Sequence, residues 1–262
     1  MSIDQEGGRV ERTENLHTKR YLSPKYAYEQ GTEFLKLQTD KMLSELSKYG
    51  INMNFAPCLD VNSNPNNPII GERAFSDKPD EVCNAFDTVF PVYAKYNIIS
   101  VVKHFPGHGD ADKDSHKELP KIDLSLSEME TTHIYPFRHA INKGIDFIMA
   151  AHLSCKCFDK DEVPTSLSAN CINYLKTNLG YKGLIVSDDM YMKGLSKYSM
   201  TEACIRGIKS GINIFIYRNS SDDTLDVIED IVRFADNDVE LKNKITESYN
   251  KILKTKQKYQ II

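Results

Sequence analysis

Tryptophan is absent from the 262 residues, so a flat stacking surface for a ligand has to come from the 14 tyrosines and 11 phenylalanines. No apolar run approaches the roughly 18 to 20 consecutive residues of a membrane helix, and the first residues show no basic segment followed by an apolar one. No membrane association is therefore expected. Charge of one sign is also missing: 33 Lys and Arg against 37 Asp and Glu leave a net −4, which gives no basis for binding through phosphate neutralisation. No nucleic-acid partner is expected. The six cysteines, at positions 58, 83, 155, 157, 171 and 204, are scattered and form no paired CxxC pattern. They read as free thiols, which favours a reducing compartment, and a cytoplasmic protein is expected. Neither a GxGxxG turn nor a Walker loop occurs, so a nucleotide fold has no support and no cofactor is expected.

What is present suits a folded globular protein. With 40% hydrophobic residues and 27% charged residues, a chain of this length buries a sizeable core. Average domain size would allow two domains, but α/β barrels often fill about 250 residues as one, and a single domain over residues 1–262 is expected. Five short β-rich apolar runs recur: Ile51 to Ala56, Ile98 to Val102, Phe147 to Ala150, Leu184 to Ser187 and Ile212 to Ile216. Segments of helical period lie between and after them. Leu35, Met42, Leu43 and Leu46 share one face, Leu225, Ile228, Val232 and Ala235 another, and Leu241, Ile245 and Ile252 a third. Ser127 with Glu130 reads as a capping box, Ser168 as a helix start, and Gly144 and Gly211 as helix stops. Strand and helix alternate, which implies an α/β fold with a parallel sheet, open or closed as a barrel.

Polar residues crowd the ends of these strands. Asp60 follows Phe55-Ala56-Pro57, Lys103-His104 follows Val102, His152 follows Ala150-Ala151, and Asp188-Asp189 follows Val186-Ser187. In a barrel such positions share the C-terminal mouth, where active sites are built. A single one of them could be a helix cap or a loop hydrogen bond; four together point to a site. The densest segment runs from Lys103 to His116. Asp110, Asp112 and Asp114 have the spacing of a calcium loop, but Ser115 replaces the required glycine and Lys121 the closing glutamate. His104, His108 and His116 are interrupted by Pro106, Gly107 and Gly109, so no helical i, i+4 zinc pair is presented, and no metal site is expected. Acid–base chemistry ranks higher. Asp114 can orient His116 through one ring nitrogen, leaving the other to exchange a proton near neutral pH. Asp188 offers a carboxylate for nucleophilic attack or cation stabilisation, and Asp189 competes for that role, with helix capping the plainer duty of either.

Taken in order, Asp4-Gln5-Glu6-Gly7-Gly8-Arg9-Val10, Asn54-Phe55-Ala56-Pro57, Gly71-Glu72-Arg73-Ala74-Phe75, the Lys103 to His116 segment, Met149-Ala150-Ala151-His152 and Ser187-Asp188-Asp189-Met190 resemble the family 3 glycoside hydrolases. The likeness is greatest to the β-N-acetylhexosaminidase branch, which removes N-acetylglucosamine from peptidoglycan fragments in cell-wall recycling. It implies a (β/α)8 TIM-type barrel and a retaining mechanism through a covalent glycosyl-enzyme. By the resemblance Asp188 is the nucleophile, His116 the general acid/base and Asp114 its orienting partner. Asp4, Arg12, Arg73, Lys103 and His104 match positions that hold sugar hydroxyls and the N-acetyl group. The expected partner is a small carbohydrate, an N-acetylglucosamine-containing glycoside; oligomeric state is not legible.

The chain departs from the family at its start, where only Met1, Ser2 and Ile3 precede the Asp4 motif. The resemblance thus implies a barrel lacking its first strand–helix unit. The five runs and this stub supply six of eight strands, with room for a weak one between Tyr191 and Ala203. Two alternatives to hydrolysis stay open: an N-acetylglucosaminide phosphorylase using the same residues, since a histidine acid/base leaves the site less anionic toward phosphate, and an inactive sugar-binding remnant.

Overall fold

The computed structural model describes residues 1–16, 20–111, 118–219 and 221–261, in two compact units. The first comprises Met1–Asp112 and Leu126–Met149, the second Lys113–Ser125 and Ala150–Ile262.

In the first unit a parallel ladder is built from very short strands on one long one. Ser2–Ile3 pairs with Met53–Asn54, which pairs with Ile99–Phe105, and Phe147–Ala150 is next in the order. All seven residues of Ile99–Phe105 are buried, Lys103 and His104 included. Such burial is the rule for a parallel strand covered on both faces, which is why its sequence reads as an apolar run rather than an alternation. The helices Thr32–Lys48 and Pro79–Lys95 pack on each other. Leu43 and Leu46 meet Val92, Tyr93 and Ile98 in one apolar cluster, and Phe105 packs edge-on against Phe137 with centroids 5.4 Å apart. Leu35, Met42, Leu43 and Leu46 are all buried, as the helical period predicts.

In the second unit Leu184–Asp189 pairs in parallel with Ile214–Ile216, and Lys121–Ile122 with Ser154–Cys155. The latter pair is too short to leave a pattern in sequence. Helix Met200–Ser210 is capped by Ser199, whose hydroxyl accepts the Glu202 N–H, and stopped by Gly211 at φ 114°. Ser168 caps Ala169–Asn173 as expected, accepting from the Cys171 N–H, and in the first unit Gly144 follows Tyr135–Asn142 at φ 85°.

Three expectations are corrected. Among the described residues no strand occurs between Tyr191 and Ala203: a tight turn at Lys193–Leu195 leads into the Met200–Ser210 helix, whose Ser199 cap outweighs the weak β-character upstream. Ser127 lies inside the Leu126–Glu128 helix and caps nothing. A wide turn follows, with Ile134 N–H reaching the Met129 carbonyl, and Pro136 then opens the next helix. The face chosen for Asp222–Ala235 is the wrong one in part. Leu225, Ile228 and Val232 are 60%, 54% and 58% exposed, whereas Val227 and Ala235 are buried and Ile231 packs inward. This helix carries two apolar stripes, and periodicity cannot say which one meets a neighbour.

The loops carrying the polar segment leave no room for side chains. A Cβ on Gly109 would lie 1.7 Å from the Val61 carbonyl oxygen, whereas one on Gly144 would meet nothing within 4 Å. Gly109→Ala must therefore push two backbones apart, at a cost on the order of 3 kcal/mol, while Gly144→Ala meets only the left-handed conformational penalty of about 1 kcal/mol. Chemical denaturation of the two variants should rank them in that order, and equal losses would refute the close approach.

Candidate active site

The polar residues of the first unit's strand ends form one buried network. The Asp4 motif leaves the Ser2–Ile3 strand, Lys103 and His104 stand on Ile99–Phe105, and Arg73 ends the short turn Gly71–Arg73. Glu6 sits between both cations. Arg73 donates to it through Nε and Nη2 at 2.9 and 2.8 Å, a bidentate geometry, and the Lys103 ammonium lies 2.5 Å from Glu6 Oε1. Lys103 also donates to Asp4 Oδ1 at 2.5 Å. The side chains of Glu6 and Lys103 are each 1% exposed, that of Asp4 33%. Asp4 is thus the carboxylate this network offers outward, and Glu6 the one that neutralises its base.

Burial by itself pushes the Glu6 carboxyl up, but the charges of Arg73 and Lys103 reverse this and hold it well below the ordinary carboxylate range. Burial likewise opposes the Lys103 ammonium, and Asp4 and Glu6 keep it protonated. Each ion is affordable inside the protein only because the others are there.

A second centre is Asp60, fully buried. Its Oδ1 accepts the main-chain N–H of His104 at 3.3 Å and of His108 at 2.6 Å; its Oδ2 takes His104 Nδ1 at 2.6 Å and the Cys58 thiol at 3.1 Å. Arg73 Nη2 stands 3.3 Å from His104 Nε2. A guanidinium can only donate, so the two partners assign the proton to Nδ1 and the lone pair to Nε2. Burial would raise the Asp60 pKa, yet the neighbouring His104 and His108 hold it low. Cys58, Asp60 and His104 also present ligand atoms within 4.8 Å of one another. Here hydrogen bonds knit them together, and the Arg73 guanidinium beside His104 opposes a cation.

Of the residues expected to hold substrate, the structure thus brings together Asp4, Arg73, Lys103 and His104. Arg12 is exposed; its main-chain N–H donates to Gln5 Oε1 at 2.7 Å. Glu6 and Asp60 organise the network; Glu6 stands inside a quoted motif with no role expected of it, and Asp60 is among the strand-end polar residues that point to a site but is given no role there. Their signal was the mere presence of an acid beside a buried strand end.

Asp114 and His116 lie outside the described residues. Asp188, in the second unit, is half-buried at the end of Leu184–Asp189, where the ladder is irregular. Val186 pairs with Ile214 but Asp189 with Ile216, so the strand carries one residue more than its partner. A bulge of this kind re-aims side chains at a strand end. Asp188 Oδ1 accepts the Asp189 N–H at 2.8 Å. Asp189 is occupied differently: its Oδ1 takes the main-chain N–H groups of Tyr191 and Arg218 at 3.1 and 3.2 Å, which holds the turn after the strand. Asp189 thus carries main-chain contacts that hold this turn.

Glu6→Gln leaves two buried cations without their shared anion and should cost about 3–5 kcal/mol of stability. The sign with pH is fixed by the lowered pKa. The Glu6 contribution is complete above the ordinary value of 4.5 and is lost as pH falls below it toward the folded-state pKa. Denaturation curves recorded from pH 7 downward should show a steeper acid loss for the native chain than for the variant; parallel curves would sink the assignment.

Comparison with known proteins gives the family. Residues 1–255 match the family model described as the glycosyl hydrolase family 3 N-terminal domain. Beta-hexosaminidase A of Pseudoalteromonas piscicida is 33% identical over 231 residues, 82% of this chain and 39% of its own length. A Beta-hexosaminidase of Psychromonas ingrahamii is 30% identical over 272 residues, 99% of this chain and 76% of its own. The solved family 3 β-N-acetylglucosaminidase of Paenibacillus sp. strain FPU-7 is 32% identical with a TM-score of 0.91, covering 99% of this chain and 50% of that one. The chain therefore spans only part of these relatives. Its fold class is the expected TIM-type (β/α)8 barrel, and the chain belongs to glycosyl hydrolase family 3, as an N-terminal domain of that family.

Proposed function

We propose that the protein is a retaining exo-β-N-acetylglucosaminidase that removes terminal N-acetylglucosamine from peptidoglycan-derived fragments, with residues 1–262 acting as one catalytic domain. The observation that carries this reading is the buried Glu6, Lys103 and Arg73 cluster that offers Asp4 outward, in a chain of family 3. Sugar hydroxyls need fixed charged donors and bidentate acceptors, and a cluster held by its own ion pairs is fixed before substrate arrives. The names of the relatives, hexosaminidases and a β-N-acetylglucosaminidase, support the same substrate class. Asp4, Arg12, Arg73, Lys103 and His104 are assigned to the hydroxyls and the N-acetyl group.

In this reading protonated His116, oriented by Asp114, donates its proton to the glycosidic oxygen. Asp188 attacks the anomeric carbon as the bond to the leaving group breaks, giving a covalent glycosyl-enzyme. Water then attacks the same carbon, His116 takes its proton, and the Asp188 carboxylate is released. The engagement of Asp189 with the Tyr191 and Arg218 amides supports Asp188 as the nucleophile. Retention follows from two inversions. Because histidine replaces the usual carboxylic acid, the carboxylate-separation rule for glycosidases does not apply. Among the described residues none of the six cysteines forms a disulfide, which supports a cytoplasmic setting, and no helix is long and apolar enough to cross a membrane.

On a chromogenic N-acetylglucosaminide, Asp188→Ala should abolish turnover and His116→Ala should slow it by roughly 10²- to 10⁴-fold. The first product should be the β-anomer of the free sugar, in phosphate buffer as well. Turnover by the Asp188 variant removes the nucleophile assignment, and sugar 1-phosphate as product replaces hydrolysis by phosphorolysis.

A further inference from the structure

His152 belongs to none of the roles assigned so far, yet it is fully buried and carries a polar atom with no hydrogen bond of ordinary geometry among the described residues. It follows the Phe147–Ala150 strand by two residues, inside a turn that is tightly held. Thr165 Oγ1 and the Ser166 N–H both donate to the Ala151 carbonyl, at 2.9 and 3.1 Å, and the Thr165 N–H donates to the Leu153 carbonyl at 2.7 Å. Ring nitrogen Nδ1 lies 2.7 Å from Ser166 Oγ, while Nε2 is enclosed and makes no hydrogen bond of ordinary geometry to any described residue. Leaving a buried imidazole nitrogen unpaired costs about 1–3 kcal/mol, so its retention calls for a reason.

The surroundings supply one. The groups that act electrostatically on the ring are the carboxylates and main-chain groups of Asp188 and Asp189, at the bulged end of the Leu184–Asp189 strand. The chain leaving that bulge passes against His152. A Cβ on Gly194 would come within 3.0 Å of the His152 carbonyl oxygen and 3.3 Å of its Cβ, so the Lys193–Leu195 turn rests directly on it. Burial keeps the ring below the ordinary imidazole range, although Asp188 and Asp189 pull the other way.

We infer that His152 is a positioning residue for Asp188: Ser166 fixes the ring by donating to Nδ1, and the Nε2–H is directed at the Asp188–Asp189 corner, holding the bulge that aims the Asp188 side chain. This rests on the reading of Asp188 as nucleophile, but the geometry it claims can be tested without activity. An asparagine places an amide near the Nδ1 position and keeps the Ser166 side, whereas a glutamine reaches the Nε2 position.

The native chain, His152→Asn and His152→Gln would be compared by nitrogen-15 NMR and by kinetics on the chromogenic N-acetylglucosaminide. The native imidazole should be neutral with its proton on Nε2, and the amide resonances of Asp188 and Asp189 should move in the Asn variant and return toward native positions in the Gln variant. In kinetics kcat should fall about 10- to 100-fold in His152→Asn with KM nearly unchanged, and recover most of the loss in His152→Gln. A proton on Nδ1, or Asp188 and Asp189 resonances indifferent to both substitutions, overturns the positioning role whether or not the chain turns over substrate. NMR shifts as expected without any turnover by the native chain would leave the positioning geometry standing and remove the glycosidase reading instead.

Discussion

The structure of the first unit depends on one shared anion. Glu6 is buried with Arg73 and Lys103, and the three residues come from segments separated by 67 and 30 positions. No pair of these charges would be tolerable alone in that environment. Two cations around one carboxylate leave a local positive excess, and Asp4 is drawn to Lys103 by it. The ion cluster therefore does two things at once. It fastens the motif after Ser2–Ile3 to the long buried strand and to the Gly71–Arg73 turn, and it presents Asp4 at a defined place.

Asp60 repeats this logic with a histidine. A fully buried carboxylate accepts four donors, two of them main-chain N–H groups of His104 and His108, so it fixes the path of the loop as well as the ring of His104. Arg73 joins the two centres, giving to Glu6 on one side and standing against His104 Nε2 on the other. Preorganisation of this kind suits recognition of a neutral, hydroxyl-rich ligand, because the donors and acceptors need not be reordered when it binds. In the second unit backbone geometry does the ordering. One extra residue in the Leu184–Asp189 strand separates the duties of two adjacent acids, one tied to main-chain amides and one at the turn of the bulge.

Much of this was legible beforehand where chemistry is local. Among the described residues the apolar runs mark every strand of three or more residues, because a parallel strand covered on both faces is largely apolar. Helix stops at Gly144 and Gly211 were readable since a left-handed residue after a helix favours glycine. Reading failed where two local solutions were equally good. Helix Asp222–Ala235 has two apolar stripes, and the segment after Asp189 has β-rich residues beside a strong helix cap.

By itself the sequence determined the fold class, the family and the identity of the strand-end residues, since these follow from periodicity and from motifs contiguous in the chain. Only tertiary structure decided which of them meet. That Glu6 would lie between Arg73 and Lys103, that Asp60 would collect four donors, and that Asp189 rather than Asp188 would hold the turn are matters of contacts between distant segments. Charge pairing at that range depends on where the backbone carries each group, and residue order alone does not encode it.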